Sequence, residues 1–434
     1  MGKRFRTDHL DQALLLPPSL HDWLPEGHLA RFIAGVIEEL DLGLIYRSYE
    51  GDGRGLAAYQ PAMMVRLLLY GYCLGVVSSR KMERATHEDV AFRYLSADTH
   101  PDHDTIAAFR KRHLEALAGL FVQALRLCQK AGLAKLGHVA IDGTKIKANA
   151  SKHKAMSYER MNETEQRLEP EVEELLRRAA AVDEAEAKIA ERREQEARTG
   201  KKAGGHDPKV PDPEQAKPEA KAQRNFTDPD SRIMVDGANK GSFIQAYNAQ
   251  AAVDSQAQVV VAAEITREAN DSQQLVPMIE QAQANAGRKP EAVSADAGYW
   301  SEDNVRDERV AGVDLYIATG RQKHGEKVES AHGPPPEDAS VQQAMQHKLR
   351  TEAGHSIYKM RKAIVEPVFG QTKERRGFRR FSFRGVGSVR LEWKLICLTG
   401  NILKLFRSGW SPQTARKSPR GASRNHLATL SRQC

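Results

Sequence analysis

The chain has 434 residues, 40% of them hydrophobic and 28% charged. That mixture supplies a buried core and excludes a wholly disordered or fibrous protein, and the length suggests roughly three domains at about 150 residues each. The net charge of +8 is uneven: residues 359–434 hold 18 Lys and Arg against only Glu366, Glu374 and Glu392, which leaves the rest of the chain net acidic.

A basic end of this strength predicts a polyanionic partner, nucleic acid first, with phosphate contacts dominating affinity. From Ser408 onward the Ser, Arg, Pro and Gly content also suits a basic disordered tail, whereas 359–407 interleaves apolar residues. The longest apolar run, LLLYGYCLGVV at 67–77, is too short for a membrane span. The opening MGKRFRTDHL has no apolar signal core, and Cys73, Cys128, Cys397 and Cys434 form no C-x-x-C pair. The expectation is a reduced cytoplasmic protein with no membrane partner.

Residues 1–135 read as helical. PAMMVRLLLYGYCLGV begins with Pro61, suited to a first helical position, and SSRKMERATHEDVAFRYL follows a two-serine break. DTIAAFRKRHLEALAGLFVQALRLCQKAG then reads as one helix with Asp104 as N-cap and Gly132 as stop. Arg80, Lys81 and Arg84, with Arg110 to Arg112, fit either a helix-turn-helix-like DNA reader or the charged outside of a bundle.

At Gly137 the texture changes, and HVAIDGTKIKANAS reads as a strand. Residues 161–200 carry 12 acidic and 7 basic side chains, with Leu, Ala and Val at helical intervals, as a solvated helical hairpin or coiled-coil arm would. Residues 201–225 read as a Pro/Gly/Lys linker. Strand signals return at 243–266 as a hairpin turning near Asp254 and Ser255. Asp271 is expected to cap a helix through Gly287; EAVSADAGYW and VDLYIATG read as short strands, and 340–375 as helix interrupted at Gly354. Strand, insert, hairpin, helix, strand, strand, helix is the order of an α/β core with a mixed sheet.

Three acids stand out. Asp142 closes VAID, Asp296 closes VSAD, and Glu366 lies within the basic RKAIVEPVFGQTK. Strand ends project side chains into a crevice, and converging carboxylates suit hard divalent cations. Taken singly, an Asp before Gly fits a turn, and a Glu among Arg and Lys fits an ion pair.

Five segments carry a resemblance. PDHDTIAAFRKRH (101–113), IDGTKIKANAS (141–151), SADAGYW (294–300), VEPVFGQTKERRGFRRFSFRG (365–385) and LICLTGNILKL (395–405) together resemble the DDE transposases of bacterial insertion sequences, the group with an InsH-type helical N-terminal domain. The resemblance covers roughly 15–405. It implies a helical DNA-binding domain over 1–135 and an RNase H-like catalytic domain, a mixed α/β sheet with flanking helices, over 136–154 and 226–407. A charged helical insertion and linker then occupy 155–225, and a basic disordered tail 408–434.

It further implies Asp142, Asp296 and Glu366 as a triad holding two Mg2+ ions, with Mn2+ as a substitute, for cleavage of transposon-end DNA and joining of the freed 3′-OH to a target. Related transposases show Y-x2-R-x3-E-x6-K. Here Tyr358, Arg361, Glu366 and Lys373 line up with one extra residue after Arg361, so either Arg361 or Lys362 is the basic partner. Glu374 is the rival acid, without the downstream Lys. Lys145 and Lys147 are read as phosphate contacts or a solvated strand edge, and Tyr299 and Trp300 as core or as a stacking platform for an unpaired base. The implied partners are double-stranded DNA, as terminal inverted repeats and target, and a second copy as a homodimer on DNA. Two other readings fit the same residues: a transposase-derived DNA-binding protein without catalysis, and an RNase H-like nuclease that cuts without joining. A structural coiled coil does not, because 161–200 is short and Pro170 interrupts it.

Overall fold

The computed structural model describes residues 19–50, 57–151, 155–157, 223–236, 242–320 and 330–412. The arm expected at 161–200, nearly all of the linker, and the tail beyond 412 lie outside the described residues. The chain divides into two compact units: Met1–Ile146 with Tyr247–Cys434, and Lys147–Ala246.

The first unit opens with seven helices: α1 Leu29–Glu38, α2 Gly43–Arg47, α3 Pro61–Leu74, α4 Ser79–Glu88, α5 Val90–Leu95, α6 His103–Arg112 and α7 Leu114–Lys130. Pro61 takes the first turn of α3, Gln60 caps it, and Gly75 ends it at φ 77°. Ser78 and Asp89 cap α4 and α5 through their side chains. The long helix expected after residue 103 is two helices that break at His113. Its N-cap is Asp102, whose Oδ1 accepts from Thr105 N at 2.8 Å, and not Asp104.

Buried Leu117, Leu120, Phe121, Ala124, Leu125 and Cys128 form an apolar stripe on α7 at helical spacing. That stripe packs along the last helix of the unit, α12 at Val386–Arg407, and α3 packs on α12 as well. The core of the N-terminal helices is therefore continuous with that of the sheet region, instead of closing around itself.

The sheet of this unit takes strands in the order β6 (Val260–Thr266), β5 (Phe243–Asp254), β1 (His138–Lys147), β7 (Ala292–Ala295), β8 (Asp314–Ile317). β5 and β6 form the expected antiparallel hairpin, and Asp254 N–H bonds Val259 O across its turn. β1 pairs with β7, and β7 with β8, in parallel. The result is a mixed sheet flanked by helices, consistent with the fold class expected. Asp254 fixes the start of β1, because its carboxylate accepts from the N–H groups of Lys135 at 3.1 Å and Leu136 at 2.6 Å.

α12 lies against β6 and β5. Trp393 is fully buried and its indole N–H donates to Gln250 O at 2.8 Å. α8 (Leu275–Ala286) also packs on β6. α9 (Glu302–Arg306) follows β7. α10 (Val341–Arg350) and α11 (Glu352–Gly370) complete the unit, and α11 packs on β7 and β8. The break between α10 and α11 falls at Thr351, the N-cap of α11, and not at Gly354. Gly354 is required for a different reason: a Cβ there would overlap the Lys348 carbonyl.

In the second unit β2 (Ala155–Ser157) pairs antiparallel with β3 (Gln223–Asn225). β4 (Arg232–Val235) pairs antiparallel with the first residues of β5, in register Arg232 to Ala246. Asn225 ties this unit locally, donating to Ser151 O and accepting from Thr227 and Asp228 N–H.

No single helix among the described residues is long and apolar enough to cross a membrane. Gly75 combines a left-handed φ with close approach to the Arg376 carbonyl, where a Cβ would overlap. Gly75→Ala should lower stability by more than about 2 kcal/mol, read as a fall in Tm or denaturation midpoint; an unchanged midpoint would remove this packing constraint.

Candidate active site

The parallel register of β1 and β7 sets Ile141 opposite Ala295, so the next residues, Asp142 and Asp296, emerge side by side. Their local settings differ. Asp142 is not in a turn: β1 continues to Lys147, and Asp142 marks the point where its partner β7 stops. Gly143 follows because a side chain there would press on Gln250 Nε2 and lie 2.8 Å from Asn248 Oδ1 and Asp271 Oδ1. Asp296 does begin a turn, a 3-10 turn at Ala297–Tyr299, and its Oδ1 accepts from Gly298 N–H at 2.9 Å.

A third carboxylate enters from a position with no chemical role in the sequence reading. α8 starts at Leu275 with Gln274 as its N-cap, so Asp271 caps nothing. Its Oδ1 instead accepts from Asn248 Nδ2 and Gln250 Nε2, both at 2.6 Å. A signal was present: Asn248 and Gln250 alternate within a largely apolar strand, and buried amides require partners.

Two cations face these acids. Arg361 of α11 is 7% exposed and donates from Nη1 to Asp142 Oδ2 at 3.2 Å, while its Nε has no hydrogen-bond partner. Lys145 on β1 donates to Ala269 O at 2.8 Å, and burial lowers its pKa against the opposing pull of Asp271, Asp142 and Asp296. Lys373, in the wide turn after α11, donates to Thr144 Oγ1 at 2.5 Å and to Lys145 O at 2.8 Å. Tyr358 lies beside Arg361, its ring centroid 5.8 Å from the guanidinium carbon.

The other candidate residues spread outward. Glu366 and Lys362 are exposed on α11, and no hydrogen bond or ion pair joins the Glu366 carboxylate to a described residue. The structure thus brings Asp142, Asp296, Arg361, Lys145 and Lys373 together, and leaves Glu366 on the solvent side of the same helix. Glu374 pairs with Arg379 at the surface. Tyr299 is fully buried and donates its hydroxyl to Gln250 Oε1, so its ring is core and presents no face to a base; Trp300 is partly exposed. Lys147 is exposed and belongs to the second unit. Arg80, Lys81 and Arg84 are exposed on α4.

Burial pushes the Asp142 carboxyl up to about 6; Arg361 pulls it down, and Asp296 and Asp271 push it further up. As a donor set, the aspartates are oxygen ligands, the kind a hard divalent ion takes. Among the described residues, however, no three His, Cys, Asp or Glu side chains are gathered as a metal-holding group. Two carboxylates fit side by side, Asp271 is close behind, and the Arg361 guanidinium takes the place of a cation at Asp142.

The native carboxyl of Asp142 keeps its proton to about pH 6, whereas an ordinary one releases it near 3.8. Unfolding therefore releases a proton between these values, and stability falls as pH rises through the window. With divalent ions chelated, Asp142→Asn should raise Tm at pH 8, by up to about 3 kcal/mol of stability, and the gain should vanish near pH 4. A gain independent of pH would show that ionisation of Asp142 is not its source.

Two family models match the chain. One, described as "Transposase domain (DUF772)", covers residues 18–112, which hold α1 to α6. The other, described as "Transposase DDE domain", covers 319–406, including Arg361, Glu366 and Lys373. Asp142, Asp271 and Asp296 lie outside both. No curated protein and no solved structure gives a match. The chain thus carries a transposase domain over its N-terminal helices and a transposase DDE domain over the helices that deliver Arg361 and Lys373 to the aspartates, and the two matches together support a DDE transposase of an insertion sequence.

Proposed function

We propose that the chain binds insertion-sequence ends and carries out metal-dependent cleavage and strand transfer at the Asp142–Asp296 site, within an RNase H-like catalytic domain. The observation that carries this reading is the register of β1 and β7, which sets two carboxylates abreast where α11 delivers a buried arginine. Family membership implies a DNA substrate.

Magnesium or manganese held by these carboxylates supplies Lewis-acid activation of the attacking oxygen and stabilisation of the leaving one. Asp142 and Asp296 supply the oxygen donors. Arg361 neutralises Asp142 in the free protein and would be placed to contact a DNA phosphate at the site. Lys373, braced by Thr144 and the Lys145 carbonyl, holds the end of α11 against β1 and carries positive charge toward the scissile strand. Tyr299 fixes Gln250, and Gln250 in turn fixes Asp271. In the first step water attacks phosphorus and the 3′-oxygen leaves as a hydroxyl. In the second, that hydroxyl attacks phosphorus of a target phosphodiester and gives up its proton as the new P–O bond forms, while the target's own 3′-oxygen leaves and is protonated to a hydroxyl, so strand joining needs no covalent protein–DNA bond.

Glu366 is proposed as the third acid. It lies between Arg361 and Lys373 along the chain, both anchored on β1 over residues 142–145, and its carboxylate is exposed. Exposed Arg80, Lys81 and Arg84 on α4 are proposed as end-binding phosphate contacts, and two copies are proposed to hold the two ends.

Asp142→Asn and Asp296→Asn should still bind end DNA yet lose at least about a hundredfold in cleavage, the scale expected when one stabiliser of transition-state charge is removed. Glu366→Gln should match them, while Asp271→Asn should cost about tenfold at most, as an outer positioning residue does. The reverse order for Glu366 and Asp271 would make Asp271 the third acid. Replacing Arg80, Lys81 and Arg84 together with Ala should weaken end binding and flatten the log Kd against log salt slope by about 0.9 per lost phosphate contact; an unchanged slope would move end binding elsewhere.

A further inference from the structure

A second cationic site lies in the first unit, apart from the aspartates. Where α3, the turn after α11 and α12 meet there is a cleft of about 350 Å³. Its lining includes Arg375, Arg376, Lys404 and Arg407, and no Asp or Glu. Arg376 is 9% exposed and hydrogen-bonds only neutral acceptors: Ile396 O at 3.0 Å, Thr399 Oγ1 at 2.9 Å and Thr372 Oγ1 at 3.1 Å. The Lys404 amine reaches only the amide of Gln258, at 2.9 Å. Arg375 and Arg407 are exposed and form no hydrogen bond or ion pair with a described residue.

Buried charge is ordinarily matched by a counter-charge, because desolvation is costly. Here buried Arg376 and half-buried Lys404 share one cleft with two exposed arginines and with no acid in its lining. The strain is visible at Lys404, whose pKa is lowered to about 8 by burial first and then by Arg407 and Arg376. The polar lining suits an anion: Thr372, Gln258, Gln371 and Asn401 lie beside the cations, and arginine forks match phosphate oxygens. The volume equals on the order of ten water molecules, larger than one phosphate and enough for the sugar attached to it.

We propose that this cleft is a phosphate-binding site, held by Arg375, Arg376, Lys404 and Arg407, for a DNA phosphodiester or a free phosphate compound. The turn Gln371–Arg375 links it to the first site, since Lys373 in that turn reaches Thr144 while Arg375 lines the cleft. The inference uses none of the aspartates, so it stands or falls independently of the cleavage chemistry.

The test uses the full chain in EDTA, with inorganic pyrophosphate and an end-sequence duplex as probes. The variant is Arg375→Gln with Arg407→Gln, two exposed positions, which leaves buried Arg376 in place. Pyrophosphate should raise the wild-type Tm above an equal ionic strength of chloride, and the double variant should lose that rise. If the phosphate is that of DNA, the variant should also bind duplex about tenfold more weakly, with a salt slope lower by one or two contacts, and pyrophosphate should compete with the duplex. If the source is a free phosphate compound, the Tm effect should be lost with duplex affinity unchanged. No pyrophosphate shift in the wild type, or a shift that survives in the double variant, overturns the proposal.

Discussion

Everything in the candidate active site turns on holding a carboxylate charge where water barely reaches. Asp142 sits on a central strand, with Asp296 beside it and Asp271 behind, and each neighbour makes its ionised form harder to keep. One guanidinium, Arg361, is the direct compensation. Because that arginine comes from α11 and Asp142 from β1, the ion pair also fixes a helix of the DDE match onto the sheet. Lys373 repeats the attachment one residue pair further along β1. The chemistry of the site and the packing of α11 are thus one problem, solved by the same side chains.

The amide-bearing strand β5 serves the site from the other side. Asn248 and Gln250 are fully buried, and both turn their N–H groups toward Asp271. Gln250 spends its oxygen on Tyr299, and its backbone carbonyl accepts from Trp393 of α12. A chain of hydrogen bonds therefore runs from the terminal helix through β5 to the acids. These bonds restrict where the Asp271 carboxylate can point, while Asn248 Oδ1 is left without a partner.

Much of this was legible in the residues. The apolar alternation from 243 to 266 and the turn at Asp254 gave the hairpin, and VAID and VSAD gave the paired aspartates, because period-two patterning and strand-end acids are local signals. Asp271 was hidden: its role depends on β5 side chains about twenty residues away, while its neighbours offered a plain helix start. Glu366 illustrates the opposite case. Motif spacing singles it out, but spacing cannot say which side of a helix meets the sheet, and the buried side of α11 carries Arg361, Ile364, Val365 and Val368. The Asp-Gly pair at 142–143 was ambiguous for a further reason. Glycine serves turns and crowded strands equally, and only the amides crowding Gly143 decide between them.

The outermost strand β6 is closed off by side-chain amides. Asn401 of α12 both accepts from and donates to the backbone of Val260, Asn285 donates to Val261 O, and Gln281 accepts from Ala263 N–H. These groups would otherwise offer an open template for another chain. This edge of the sheet therefore offers no free ribbon at these positions on which another chain could extend it, and whatever meets it there meets side chains.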